Sequence, residues 1–160
     1  MSISAISSER TVPISEDLTT EEKSLSVIRG LEDMKRVDKK LKSGETFALG
    51  EWAVINSDGE AERAGGSAVH NTYPVFAGTD RFDVHATGQV TLIMNSAIIA
   101  KTNKFNPAPS YVVGMPLTVK AYSAGKSELT EATGGDAIVA RVHDASEVAN
   151  GCLVYETVQN

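Results

Sequence analysis

Three histidines are the side chains of this sequence best suited to acid–base or metal chemistry. His70, His85 and His143 lie 15 and 58 residues apart, and no Cys or carboxylate accompanies them at the spacing of a metal-ligand motif. The sequence also lacks a G-x-S-x-G elbow, a phosphate loop and a dinucleotide fingerprint. We therefore predict no catalytic residues, no cofactor and no tightly bound metal.

A second group of polar residues lies close to His85. Asp80 and Asp83 flank Arg81 and could hold a cation, although an Arg between two acids in a β-edge turn more often forms a local ion pair. With His85, the two acids are the best available cluster for a small enzyme whose site is assembled from scattered residues. Loss of an activity on their substitution would be needed to support that alternative.

The elements that carry these residues fall into two parts. The length of 160 residues suits one domain with an appendage. Residues 1–45 hold eight Lys/Arg and nine Asp/Glu, whereas residues 46–160 hold seven and twelve. We interpret residues 1–45 as an N-terminal arm and residues 46–160 as a compact domain. The first residues lack the pattern of a signal peptide, and no apolar run approaches the ~18 residues of a membrane span, so we expect a soluble intracellular protein.

The arm carries the pattern of an amphipathic helix. Thr19 and Glu22 fit a capping box, and four apolar residues then follow near a spacing of three to four with Ile28 beside them: Val27, Leu31, Met34 and Leu41. Gly30 weakens such a helix by about 1 kcal/mol. The sequence leaves open whether the helix packs on its own domain or docks on a partner.

Charge argues against a nucleic-acid partner. The net charge is −6 and the pI about 5.1. The bases that cluster in the arm have no aromatic residues among them for stacking on nucleotide bases: Lys35, Arg36, Lys39, Lys40 and Lys42. The single cysteine, Cys152, lies in an apolar run and is predicted to be a buried, unreactive side chain.

From Gly44 onward the apolar pattern has a period of two, which predicts short β-strands. Leu49-Gly50 and Ser57-Asp58-Gly59 are predicted turns, and the prolines of residues 106–109 predict a loop. Segments such as "TYPVFAG", "RFDVHA", "MPLTVKAY", "DAIVARVH" and "GCLVYETV" continue the pattern. We predict an all-β fold, a small β-sandwich or barrel, behind a partly helical N-terminal arm.

The most apolar stretch is "QVTLIMNSAIIAKT", residues 89–102. Its two apolar runs meet at Asn95-Ser96, which predicts a central hairpin buried on both faces. The predicted core contains Trp52, Val54, Phe76, Val90, Leu92, Ile93, Ile98, Ile99, Leu117, Val119, Ile138, Val139, Leu153 and Val154.

The tetrapeptide Glu32-Asp33-Met34-Lys35 resembles the E-x-M-K segment in which biotin and lipoyl carrier domains present their modified lysine. Such a lysine must lie at an exposed hairpin tip with a strand on each side. The helical pattern of the arm argues against that placement for Lys35. We keep a small β-barrel carrier or ligand-binding protein as the alternative function.

The order of elements in residues 42–160 resembles the head decoration, or capsid cement, proteins of tailed bacteriophages. The segments that carry the resemblance are "LKSGETFALGEWAVINSDGEAERAG", "VFAGTDRFDVHATGQVTLIMNS", "IIAKTNKFNP" and "TGGDAIVARVHDA", which share a strand rhythm and turn glycines with those proteins. The resemblance implies a non-enzymatic virion protein that assembles in the host cytoplasm, binds the major capsid protein on the outer surface of the shell and stabilises the expanded head. It also implies a homo-oligomer, with a trimer favoured.

The arm is the predicted contact with the shell. The candidate capsid-binding residues are Val27, Ile28, Leu31, Met34, Lys35, Arg36, Lys39 and Lys40. An apolar helical stripe gains little alone and more in a partner's groove. Removal of residues 1–43 is accordingly expected to leave a folded β domain with much reduced affinity for capsids.

Overall fold

Two antiparallel β-sheets form the fold in the computed structural model, which describes residues 24–65, 71–77, 88–94, 96–123 and 125–158. Within these residues a short 3-10 helix (Val148–Asn150) accompanies eleven strands: β1 (Ser26–Arg29), β2 (Arg36–Lys40), β3 (Trp52–Ile55), β4 (Ala61–Glu62), β5 (Thr72–Ala77), β6 (Gln89–Ile93), β7 (Ile99–Thr102), β8 (Pro116–Lys120), β9 (Glu128–Glu131), β10 (Ala140–Asp144) and β11 (Leu153–Thr157). The all-β, sandwich-like fold predicted from the sequence is confirmed. No helix in the described part of the chain is long and apolar enough to cross a membrane.

The larger sheet has six strands in the order β1-β7-β11-β10-β8-β9. Val27, Ala100, Tyr155 and Val142 form one row across its first four strands. All four side chains contribute to the main core. The outer edge of β9 is covered because Phe105 forms a parallel bridge with Leu129.

The smaller sheet has five strands in the order β2-β6-β5-β3-β4. A parallel bridge between Leu41 and Ala61 connects β4 to the residue that follows β2, so the two edges of this sheet meet. One ion pair lies on each side of the bridge, Lys40 with Glu60 at 3.8 Å and Lys42 with Glu62 at 3.4 Å. This seam closes the sheet on itself.

Both faces of the smaller sheet are largely buried at β3, β5 and β6, whereas β2 is partly exposed. Alternate residues of a strand point to opposite faces, and here Ile93 and Phe76 contact the main core while Leu92 and Val75 belong to a second cluster. The main core fills the space between the sheets, where the rings of Trp52 and Tyr155 lie 5.6 Å apart. The second cluster comprises Leu41, Phe47, Ala53, Ala61, Val75, Val90 and Leu92.

The stretch of residues 89–102 is buried as predicted, but it is not a hairpin. Strand β6 pairs with β2 and β5 in the smaller sheet, whereas β7 pairs with β1 and β11 in the larger one. The chain therefore crosses between the sheets here. Eleven of the predicted core residues are buried, while Phe76, Ile99 and Ile138 are only partly buried.

The helix predicted for the arm is wrong for residues 26–41. Val27 and Ile28 lie in strand β1, and Lys35 to Leu41 contain strand β2. Gly30 has φ of +89°, which ends β1 rather than continuing a helix. Residues 26–29 and 36–40 thus belong to the two sheets, and residues 30–35 form the turn between them. Thr19 and Glu22 of the predicted capping box lie outside the described residues.

Several local predictions are confirmed. The turn at residues 57–59 joins β3 to β4, and the Asn56 side-chain oxygen accepts hydrogen bonds from the N–H groups of Asp58 and Glu60. Residues 106–109 form a loop, and Cys152 is buried. The predicted strand at residues 81–86 lies outside the described residues.

The core predicts a large effect for Ile98→Ala. Ile98 is 2% exposed, so its truncation should lower the free energy of unfolding by about 2–5 kcal/mol through lost burial and a residual cavity. Ile28→Ala, at a residue that is 54% exposed, is the matched control and should change it by less than about 0.5 kcal/mol. Urea denaturation measures both, and equal effects would contradict the placement of Ile98 in the core.

Two N-terminal deletions should differ in whether the protein keeps a cooperative unfolding transition. Deleting residues 1–43 removes β1 and β2 and exposes β6 and β7, so we expect loss of the cooperative unfolding transition, contrary to the expectation from the sequence. Deleting residues 1–22 leaves every described strand and should preserve the transition. Circular dichroism during thermal denaturation distinguishes the two outcomes. A cooperative transition in the 1–43 deletion would show that β1 and β2 are dispensable.

Candidate interaction surface

The candidate capsid-binding residues lie along one side of the sandwich, which we call the β1–β2 edge (residues 26–40). β1 is the terminal strand of the larger sheet and β2 of the smaller one. Only residues 30–35 join the two strands, which keeps them side by side. The structure therefore brings the predicted residues together, but on two strands and the turn between them instead of one helical face.

Two of the predicted contact residues belong to the interior. Val27 packs against the main core, and Met34 is one of its buried members. Their apolar side chains stabilise the sandwich and are not available to a partner. The predicted apolar stripe is therefore divided between the core and the surface.

Ile28 and Leu31 are exposed, at 54% and 59% of their surface. The register of β1 with β7 shifts between Val27 and Arg29, and Ile28 is the extra residue of this bulge. Gly30 then packs closely on the segment that precedes β7, where a Cβ at this position would lie 2.5 Å from the carbonyl oxygen of Ala97. The bulge and this glycine hold the two apolar side chains on the surface.

The basic residues of the edge have different surroundings. The backbone N–H of Lys35 donates to Ser96 Oγ at 2.8 Å, which fixes the turn while the residue stays exposed. The guanidinium of Arg36 lies 5.3 Å from the centre of the Phe76 ring. Lys39 is half-buried on β2, and Lys40 pairs with Glu60 across the seam. Lys35 is thus the most available of these cations.

A second exposed apolar pair was not predicted from the sequence. Val112 and Val113 are 59% and 70% exposed in the turn that precedes β8. The turn is held because the N–H of Gly114 donates to the carbonyl oxygen of Val142 at 2.8 Å. The only sign of this exposed pair in the sequence is that Val112 and Val113 directly precede Gly114.

An ion pair with extensive hydrogen bonding lies away from the β1–β2 edge. Both terminal nitrogens of Arg63 donate to the buried carboxylate of Glu51, at 3.1 and 3.2 Å. The same guanidinium donates to the carbonyl oxygens of Thr46 and Gly125, at 2.6 and 2.9 Å. It also lies 5.0 Å from the centre of the Phe47 ring. Arg63 therefore connects three segments that are distant in sequence.

A buried carboxylate and two tyrosines lie on or beside strand β9. The hydroxyl of Tyr122 donates to the Glu128 carboxylate at 2.7 Å. Burial and this neighbouring carboxylate raise the pKa of Tyr122 well above its usual range. Burial also raises the pKa of Tyr111 to about 12, and its hydroxyl donates to the Asn106 carbonyl. Both tyrosines are therefore neutral hydrogen-bond donors at pH 7.

Most of the residues that the sequence offered for acid–base or metal chemistry lie outside the part of the chain that the structure describes. These are His70, His85, Asp80, Arg81 and Asp83. His143 Nδ1 lies 3.9 Å from an Oε atom of Glu156. Among the residues that the structure describes, no group of three or more His, Cys, Asp or Glu is arranged to hold a metal ion.

The E-x-M-K segment, Glu32 to Lys35, does not lie in a helix, so the objection raised from the sequence was wrong. It occupies the turn between β1 and β2, with Lys35 exposed. The two flanking strands pair with β7 and β6 and belong to different sheets. The turn therefore joins the two sheets and is not the tip of a hairpin.

Comparison of the chain with protein-family models, with curated proteins and with solved structures finds no match in any of the three.

The Arg63 ion pair predicts a specific stability loss. Arg63→Ala leaves the Glu51 carboxylate buried without its cation, so the free energy of unfolding should fall by roughly 3–5 kcal/mol. Arg141→Ala, on the exposed face of β10, is the matched control and should change it by less than about 0.5 kcal/mol. Chemical denaturation measures both. A small loss for Arg63→Ala would show that the three segments hold together without it.

Proposed function

We propose that this protein is a non-enzymatic structural protein of a tailed-bacteriophage virion, which binds the outer surface of the major capsid shell and stabilises the expanded head. It assembles in the host cytoplasm and works as a homo-oligomer, with a trimer favoured. The proposal starts from the resemblance in element order of residues 42–160. The β-sandwich gives this function a rigid body, which a clamp between neighbouring capsomers requires.

The observation that carries the proposal is the exposed pair Ile28 and Leu31 on the β1–β2 edge. Isolated apolar residues are common on surfaces, but this pair is held out by a bulge and a tightly packed glycine on strands anchored in the core. Lys35 lies in the same turn. An apolar centre with charged surroundings is the usual composition of a protein-binding surface.

The structure changes which predicted residues make the proposed contact. Ile28, Leu31, Lys35 and Arg36 stay as candidates because their side chains lie at the surface. Val27 and Met34 are removed because they pack in the core. Lys40 contributes less, since its ammonium group already pairs with Glu60. The contact is accordingly a small patch repeated in many copies on the shell, where multiple attachment raises the overall affinity.

The alternative function, a small β-barrel carrier or ligand-binding protein, keeps one supporting observation. Lys35 is exposed in a turn with a strand on each side, although this turn joins the two sheets and is not the hairpin tip at which carrier domains present their lysine. The carrier function requires an intact mass above that of the unmodified chain, with the added mass located on Lys35. An unmodified mass would contradict the carrier function.

The capsid proposal is tested by co-sedimentation of the full chain with purified expanded heads that lack it. The full chain should bind at a fixed ratio to the major capsid protein and raise the temperature at which the heads disrupt. Ile28→Asp with Leu31→Asp should reduce binding at least tenfold, because the contact loses its apolar centre and gains charge. The free double variant should unfold like the unmodified protein.

The matched control places the same substitutions on the other exposed apolar pair. Val112→Asp with Val113→Asp should leave binding to the heads within about twofold, a difference of under half a kcal/mol. Loss of binding in this control but not in the Ile28/Leu31 variant would assign the contact to the turn before β8. Absence of binding by the unmodified chain would contradict the proposed function itself.

A further inference from the structure

The β1–β2 edge is a basic region of an acidic protein. Residues 29–42 contain six Lys/Arg and three Asp/Glu, whereas residues 43–160 contain seven and thirteen. The edge therefore carries a net charge of +3 beside a body of −6. Electrostatics favour an acidic partner for this surface.

β1 is also the strand edge that stays open in the described structure. The edge of β9 is covered by the bridge from Phe105 to Leu129, and β2 and β4 meet at the bridge between Leu41 and Ala61. On the outer side of β1 no described strand is paired. The exposed side chains of Ile28 and Leu31 lie at the same place. An open edge with exposed apolar side chains favours association with another segment of chain.

We propose that the acidic N-terminal segment, residues 9–22 of the same chain, docks across the outer side of β1. This segment contains five Asp/Glu and one Arg, a net charge of −4 that complements the +3 of residues 29–42. Its apolar residues Val12, Ile14 and Leu18 lie among the acids. They supply the apolar surface that Ile28 and Leu31 require, while the acids face the bases around them.

The covalent connection places the segment beside its docking surface. Ser24 and Leu25 are buried, and the carbonyl oxygen of Ser24 accepts a hydrogen bond of 2.5 Å from Thr102 Oγ1 at the end of β7. Only Lys23 separates this anchor from the acidic segment. A short tether of this kind gives an effective concentration in the millimolar range, which favours the segment over a free partner.

The segment is long enough to reach both apolar side chains. The four residues of β1 span about 10–13 Å at the rise of a β-strand, and fourteen extended residues span up to about 45–50 Å. The length of the segment therefore suffices to reach both Ile28 and Leu31 from Ser24. The docked segment would cover the side chains of Ile28 and Leu31 that the proposed capsid contact uses, so binding to the shell would displace it. The inference itself concerns the free protein.

Paramagnetic relaxation in the full-length chain tests the proposal. A nitroxide label is attached to Ser15→Cys in a Cys152→Ala background, and the intensities of the backbone amide signals are compared with the label oxidised and reduced. We expect severalfold loss of the signals of Ile28 to Leu31, with those of Glu128 to Glu131 at the opposite end of the sheet unchanged. The loss should largely disappear in about 1 M NaCl, where the Debye length is about 3 Å.

A charge-reversal pair supplies the matched control. Lys35→Glu should reduce the signal loss at Ile28 to Leu31, whereas Lys126→Glu, an exposed lysine elsewhere with the same change in net charge, should not. Hydrogen exchange at the same amides of the unlabelled natural chain, with and without salt, gives a second measurement that requires no substitution. Faster exchange in salt is expected.

Two results would overturn the proposal. Equal intensities with the label oxidised and reduced, together with salt-independent exchange, would show that the segment does not dock on β1. Signal loss in an isotope-labelled chain mixed with a separate spin-labelled chain would assign the docking to the N-terminal segment of a second copy. Binding to phage heads is not measured in either case, so failure here leaves the proposed function untouched.

Discussion

The fold depends on a constraint of connectivity: at two places in the described chain, consecutive strands lie in different sheets. The chain leaves the larger sheet after β1 and enters the smaller one at β2, and it returns between β6 and β7. β1 pairs with β7 and β2 with β6, so the two crossings lie beside each other. Each crossing supplies one strand to each sheet. The core between the sheets, with Trp52 against Tyr155, forms only when the two sheets meet. The exposed β1–β2 edge is the outer side of this double crossing.

Arg63 adds a second long-range tie at a different place. Its contacts with Glu51, Thr46 and Gly125 join the segment after β2, the end of β4 and the loop before β9. The buried Ser127 hydroxyl donates to the Trp52 carbonyl in the same region. A charged side chain is therefore part of the interior support of the fold, while the apolar Ile28 and Leu31 lie outside it. The proposed interaction surface is separate from this support, which is why substitutions there can be tested without unfolding the protein.

The sequence predicted what local patterns determine. Period-two alternation identified most strands of the body, and apolar content identified Leu92, Ile98 and Leu153 as core. The prediction from the sequence failed where pairing between distant strands determines the structure. Val27, Leu31 and Met34 have helical spacing, but pairing of β1 with β7 and of β2 with β6 outweighs that preference. A buried hairpin and a crossing between two sheets have the same apolar pattern, so the location of β6 and β7 could not be read from it. Five of the eight predicted contact residues are exposed: Ile28, Leu31, Lys35, Arg36 and Lys40. The exposure of Ile28 depends on the bulge in β1, which the residue spacing does not show.

The order β1-β7-β11 has a mechanical consequence. β1 and β11 run parallel to each other on either side of the antiparallel β7, with Ser26 opposite Lys101 and Glu156 opposite Ile99. A force that enters at Ser26 and leaves at Thr157 therefore pulls the two outer strands in opposite directions along their axes. The backbone hydrogen bonds to β7 are perpendicular to that force and are loaded together in shear, so they resist as a group instead of breaking one after another. Tension between Ser26 and Thr157 is thus carried by the strands at the open side of the larger sheet.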